Sequence, residues 1–138
     1  MSDLTFAEGV IETGIMDKLA HAIAADGSVR VLSAVTTGIT TEAIRRHQTS
    51  PTVSAALGRM LTGTLLLGST LKEFDRLTAR IDCRGPVEGI VAEATKEGTV
   101  RGYVKNPIAE LPARDDGKFN VSGIVGEGTF YVVRETGF

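Results

Sequence analysis

The sequence predicts an α+β domain, a mixed or antiparallel sheet of about five or six strands packed by one long central helix and shorter helices. Three observations point there. From Leu77 to Pro107, apolar and polar residues alternate through segments separated by tight turns. From Val53 to Leu71, apolar residues recur at helical spacing behind a Ser50-Pro51 start. Sixteen glycines and no tryptophan among 138 residues imply many turns and a core of Val, Ile, Leu and Ala.

Ile11, Ile15, Leu19 and Ile23 fall every fourth residue, which predicts a helix from Met16 to about Ala25, closed by Asp26-Gly27. Val29 to Thr37 reads as a strand; Val31, Leu32, Ala34 and Val35 fall on both of its faces, so it is expected to be covered on both sides. After Gly38, Thr40 or Thr41 caps a short helix reaching His47, with Glu42 set against the positive end of the helix dipole. Ser50 followed by proline then starts the long helix, because proline's missing N–H has no partner to lose in a first turn. Val53, Leu57, Met60, Leu61, Thr64, Leu65 and Leu71 share its apolar face, which Leu66 and Leu67 widen.

Leu77, Ala79, Ile81 and Cys83 alternate with Thr78, Arg80, Asp82 and Arg84, so this strand carries one apolar and one largely charged row. Gly85-Pro86 turns the chain into Val87–Ala94, and Lys96-Glu97-Gly98 leads into Thr99–Lys105. Asn106-Pro107 ends the pairing, since proline cannot donate to a ladder. Pro107 to Lys118 has no periodicity and is expected to be a surface loop. Phe119 to Val125 is open between strand and helical turn, and Thr129 to Arg134 is a further strand, apolar on both faces. A chain that stops so soon after a strand reads as a fragment.

The formal net charge of -2 provides no basic field, so nucleic acid is not an expected partner. One cysteine excludes an intrachain disulfide framework or a cysteine-rich zinc site within this sequence, and points to a reducing compartment, the cytoplasm. The first fifteen residues carry Asp3, Glu8 and Glu12 and no positive charge, unlike a signal peptide. Val53–Leu71 is long enough to raise a membrane question, but Arg59 and its several hydroxyls favour a buried helix, and no membrane partner is expected.

No catalytic set emerges, and the chain is not expected to be an enzyme. Gly63–Thr70 imitates a phosphate loop, but Ser69 stands where the lysine belongs and the segment lies late in a helix. Cys83 shares its row with Leu77, Ala79 and Ile81, which favours a small buried hydrophobe over a reactive thiol. His21 and His47 each fall in a predicted helix without a carboxylate at ligand-pair spacing. Asp115-Asp116 before Gly117 are turn formers. Neither a cofactor nor a metal site is expected among these residues.

Met16-Asp17-Lys18-Leu19, Ala24 to Arg30, His47 to Pro51 with Ala55 to Arg59, Leu65 to Gly68 through Leu71-Lys72-Glu73, Gly89 to Ala94 and Arg101 to Pro107 stand in an order and spacing that resembles one family. This is the amino-terminal domain of the redox-regulated holdase chaperones, the thirty-three-kilodalton heat-shock chaperonins of bacteria. The resemblance runs from Met16 to Phe138, leaving residues 1–15 as an extension of open status. It implies an ATP-independent chaperone that holds unfolding client proteins, and a homodimer. It also implies a carboxy-terminal segment, absent from this sequence, whose four cysteines bind zinc when reduced and release it on oxidation. The family usually carries no cysteine at the position of Cys83, so this thiol is a departure from it. Tyr103, Tyr131 and Val133 are the residues assigned to the face that meets linker or client, because tyrosine joins an apolar body to a polar rim. The rival readings are a ligand-binding or enzymatic domain with anion sites at its glycine turns, and a purely structural dimerisation module.

Overall fold

The computed structural model describes residues 6–7, 17–73 and 76–136. The elements are β1 (Phe6–Ala7), β2 (Lys18–Ile23), β3 (Arg30–Val35), α1 (Thr37–His47), α2 (Pro51–Gly68), β4 (Arg76–Cys83), β5 (Gly89–Thr95), β6 (Val100–Val104), α3 (Val121–Val125) and β7 (Gly128–Glu135). The α+β class holds, and the strands divide between two antiparallel sheets, ordered β1-β2-β3 and β6-β5-β4-β7.

Where a helix was expected across Met16 to Ala25, β2 pairs with β3 from Lys18↔Val35 to Ile23↔Arg30. A spacing of four is also an even number, so Leu19 and Ile23 share a strand face as readily as a helix face; Ile11 and Ile15 lie outside the described residues. Asp26-Gly27 is a hairpin turn, not a helix stop. Ala24 N–H donates to the Val29 carbonyl at 2.9 Å, Asp26 Oδ1 accepts from Ser28 N at 2.9 Å, and Gly27 sits at φ 74°. His21 therefore lies on a strand. Nor is β3 covered on both sides: Val31 and Val35 are exposed, and Leu32 and Ala34 face inward, half-buried.

Helix α1 starts ahead of the expected Thr40 or Thr41 cap, and its start is held from outside. The buried carboxylate of Asp17 accepts from Gly38 N at 2.8 Å and from Ile39 N at 2.7 Å, satisfying two of the amides that a helix start leaves without partners. The Thr36 hydroxyl instead meets Thr62 Oγ1 of α2 at 2.6 Å. Glu42 lies beyond the first turn and grips Arg45 and Arg46 at 2.8 and 2.6 Å. Hydrogen bonds from Arg45 and then Arg46 hold its carboxyl down at about 2, against 4.5. A depressed carboxyl stabilises the fold above its unfolded value, and that support is lost as pH falls. Glu42→Gln is therefore expected to flatten the acid limb of a stability–pH curve between about 4.5 and about 2, as read by thermal melts across that window.

Helix α2 begins at Pro51 as expected, but its first turn is secured by the distant loop after β6. The Ser50 hydroxyl donates to the Ala109 carbonyl, Thr52 Oγ1 donates to the Glu110 carboxylate, and Ser50 N–H donates to the Pro107 carbonyl at 2.9 Å. Val53, Leu57, Leu61 and Leu65 are buried against Leu77, Ala79, Ile90 and Ala92, the inner face of the four-stranded sheet. The loop from Pro107 to Lys118 has no regular element, and Asp116 Oδ1 accepts from Lys118 N at 3.1 Å in the expected turn.

Phe119–Val125 resolves as the short helix α3, whose Ile124 is fully buried. It is tied to the β4–β5 turn by Gly85 N→Val125 O at 2.9 Å and Val87 N→Ile124 O at 3.1 Å. A Cβ at Gly85 would stand 2.3 Å from the Ile124 carbonyl oxygen and 2.4 Å from the Val125 carbonyl carbon. Both are backbone atoms with nowhere to swing. Gly85→Ala is expected to cost about 2 to 3 kcal/mol, seen as a lower urea midpoint at unchanged slope.

Candidate functional site

Alternation along β4, β5, β6 and β7 turns one row of side chains onto α2 and the other outward. Register places Tyr131, Arg80, Val91 and Tyr103 directly opposite one another, a single row crossing the whole outer face. The next row is Val133, Thr78, Glu93 and Arg101. Tyr103, Tyr131 and Val133, singled out from sequence, thus share one face and are 50%, 38% and 46% exposed. At about 4.8 Å per strand, the two tyrosines stand roughly 14 Å apart. Arg80 and Val91, which fill the row between them, were not singled out; the alternation that turns Tyr103 outward also turns both outward, half-buried, but only register aligns them.

The charges on this face are paired. Arg80 Nε donates to Asp82 Oδ1 at 2.9 Å, its guanidinium carbon lies 6.0 Å from the centre of the Tyr131 ring, and Tyr131 Oη donates to Asp82 Oδ2 at 2.9 Å. Lys105 Nζ adds a longer contact to Asp82 at 3.6 Å. The hydrogen bonds from Arg80 and then Tyr131 hold the Asp82 carboxyl below its ordinary value, and the bond to Asp82 holds the Tyr131 phenol above its own. One row away, Arg101 meets Glu93 at 2.8 Å and Arg76 reaches it at 3.7 Å. Exposed pairs of this kind are screened by water and add little to stability. They are held loosely and can be exchanged for contacts with a partner, and tyrosine and arginine are the side chains that most often anchor protein interfaces.

Cys83 ends β4, half-buried against the core, and burial pushes its thiol up, the reverse of an activated nucleophile. Gly63–Thr70 runs through the last turns of α2 and its end, a setting in which it forms no phosphate loop. His47 occupies the last turn of α1 beside Arg45 and Arg46. Among the described residues, no three His, Cys, Asp or Glu side chains converge where a metal would sit. With Cys83 their single cysteine, these residues do not fit a four-cysteine zinc switch. No helix among the described residues is long and apolar enough to cross a membrane.

The sequence profile described as Hsp33 protein matches residues 17–137. The chain belongs to the Hsp33 family. It is 50% identical over 121 residues to a 33 kDa chaperonin of Thermus thermophilus, covering 86% of this chain and 36% of that one. It is also 50% identical over 120 residues to a 33 kDa chaperonin of Symbiobacterium thermophilum, covering 86% and 41%. The crystal structure of the 33 kDa chaperonin of Thermotoga maritima superposes with a TM-score of 0.81 at 40% identity, over 86% of this chain and 41% of that one. The chain thus spans about two fifths of the length of the Hsp33 relatives it matches.

A second feature of this Hsp33 domain was not legible in its sequence. On the inner side of the four-stranded sheet, a trough of about 610 Å3 opens between β3, α2 and β7. Leu67, read as widening the core face of the long helix, and Phe130, on a strand read as apolar on both faces, line it while 39% and 56% exposed.

Proposed function

We propose that residues 16–138 are the client-holding platform of an ATP-independent chaperone. The outer face of the four-stranded sheet, centred on Tyr103, Tyr131 and Val133, receives either an unfolding client or the linker that covers it. One observation carries the reading: a row of Tyr, Arg, Val and Tyr crosses a full sheet face, half-buried at its centre and exposed at both tyrosines, in a chain whose relatives are named chaperonins. Non-covalent holding requires no nucleophile or cofactor. It needs apolar area, about 25 cal/mol for each Å2 covered, framed by charges that prevent the platform from aggregating with itself.

In this reading the protein acts in the cytoplasm as a homodimer, and redox control lies in a four-cysteine zinc segment outside the sequence described here. Light scattering of a thermally unfolding client under reducing conditions, with and without the purified chain, tests the platform. Suppressed scattering is the expected result. Undiminished scattering at a severalfold excess of chain would remove client holding from this domain and leave the dimerisation module.

A further inference from the structure

Where α1 packs beside β6, a hollow of about 240 Å3 lies between them. Its walls come from α1, α2 and β6, at the edge of the four-stranded sheet opposite β7. The floor is apolar. Ile39 of α1 and Leu61 of α2 are buried members of the core, and Ala43 of α1 and Val100 of β6 pack against it half-buried. Gly102, the middle of the three residues that β6 turns inward, has no side chain to fill the space, and a Cβ there would stand 3.0 Å from Leu61 Cδ2.

The rim is cationic. Arg46 and His47 from the last turn of α1 and Arg101 of β6 border the hollow, against Glu42 as the one acid among the described residues that line it. Neither arginine is consumed by its acid. Glu42 is shared between Arg46 at 2.6 Å and Arg45 at 2.8 Å, and Glu93 between Arg101 at 2.8 Å and Arg76 at 3.7 Å. Four arginines thus divide two carboxylates, and either rim arginine can turn to a ligand while its acid keeps a partner. An apolar floor beneath surplus cations suits an anion that carries an apolar body. Inorganic phosphate would leave the floor uncovered, and an uncharged aliphatic would leave the rim unused. Size narrows the class further. A water takes about 30 Å3 of liquid, so the hollow seats a body of roughly eight non-hydrogen atoms.

We propose that the hollow between α1 and β6 binds a carboxylate borne on a short branched aliphatic body, with Arg46 and Arg101 taking the carboxylate and Ile39, Leu61 and Val100 the body. Two sources share that chemistry: a free branched-chain acid, and the last residue of a polypeptide that ends in leucine, isoleucine or valine. The inference stands apart from the client-holding reading, because the floor lies on the inner side of the sheet and involves neither Tyr103 nor Tyr131.

Titrations of the full chain, followed through the backbone amide resonances of Ile39, Val100 and Gly102, test it. With 4-methylpentanoate the resonances are expected to shift to saturation in the millimolar range. The corresponding amide, which lacks the charge, and acetate, which lacks the body, are each expected to bind at least about fivefold more weakly. Arg46→Gln combined with Arg101→Gln, both at exposed positions, leaves Arg45 on Glu42 and Arg76 on Glu93 and is expected to erase the preference for acid over amide. Ala43→Leu fills the hollow from α1 and is expected to abolish the shifts with every ligand; the spread of amide resonances in each variant reports that its fold is kept. Acetyl-Ser-Gly-Ser-Leu, with a free carboxyl group or amidated, distinguishes the sources. A free-carboxyl peptide that binds as tightly as the small acid assigns the site to a chain terminus, and a silent peptide beside a bound acid assigns it to a free acid. Equal affinity for acid and amide, equal affinity for acid and acetate, a preference that survives the double arginine replacement, or binding that persists in Ala43→Leu would each overturn the proposal. Client scattering decides the platform alone, and these titrations decide the hollow alone.

Discussion

Replacing Tyr103, Tyr131 and Val133 together with serine is expected to abolish most client protection, raising the amount of chain needed for half-suppression of scattering at least about tenfold. Truncating an interface anchor typically costs about 2 kcal/mol or more, and about 1.4 kcal/mol is already a factor of ten in affinity. The fold should persist. All three side chains are exposed on the outer face, the core of Leu57, Leu61, Leu77 and Ile90 lies on the other side of the sheet, and among the described residues the only side-chain hydrogen bond removed is that from Tyr131 to Asp82. Urea midpoints read on the same samples separate lost binding from lost structure. A triple variant with an unchanged midpoint and undiminished protection would withdraw these residues from the client face.

Asp17→Ala carries the largest expected loss of stability for a polar substitution, about 3 kcal/mol, or roughly 10 °C in Tm for a chain of this size. Both carboxylate oxygens are committed, Oδ1 to Gly38 N and Oδ2 to Ile39 N, in a site closed to water. The alanine leaves two buried amides unpaired at the start of α1 and loosens Ile39, which belongs to the core. Asp17→Asn should recover no more than about half of the loss: the amide still has one accepting oxygen, while its NH2 meets the other N–H donor to donor. A fall in Tm of less than about 2 °C for the alanine variant would show that water replaces the carboxylate and that the cap contributes little.

Helix α2 and the three strands from β4 to β6 are legible in the sequence because their determinants are local. Proline after serine starts the helix, Val53, Leu57, Leu61 and Leu65 repeat at its period, and Leu77 to Cys83 alternate without a break. Strand β2 is not legible, because four-residue spacing satisfies both periods and its partner, Arg30–Val35, lies beyond a turn that also resembles a helix stop. The start of α1 depends on a carboxylate twenty-one residues upstream, a separation that no local window spans. The candidate face was half legible. Tyr103, Tyr131 and Val133 could be assigned to exposed rows one strand at a time, but the alignment through Arg80 and Val91 is a property of register. The trough was hidden for the opposite reason: Leu67 has the spacing of a core residue and Phe130 lies on a strand apolar on both faces, and only tertiary placement leaves them uncovered.

The clasp at the start of α2 bears on how the protein emerges from the ribosome. Ser50 and Thr52 find their side-chain partners in Ala109 and Glu110, fifty-nine and fifty-eight residues later. At roughly 5 to 20 residues per second of synthesis, the helix that organises the core waits about 3 to 12 seconds before its first turn can be fastened. Through that interval its apolar stripe is itself an unfolded segment in search of cover, so the nascent chain passes through the condition that its family is named for managing in others.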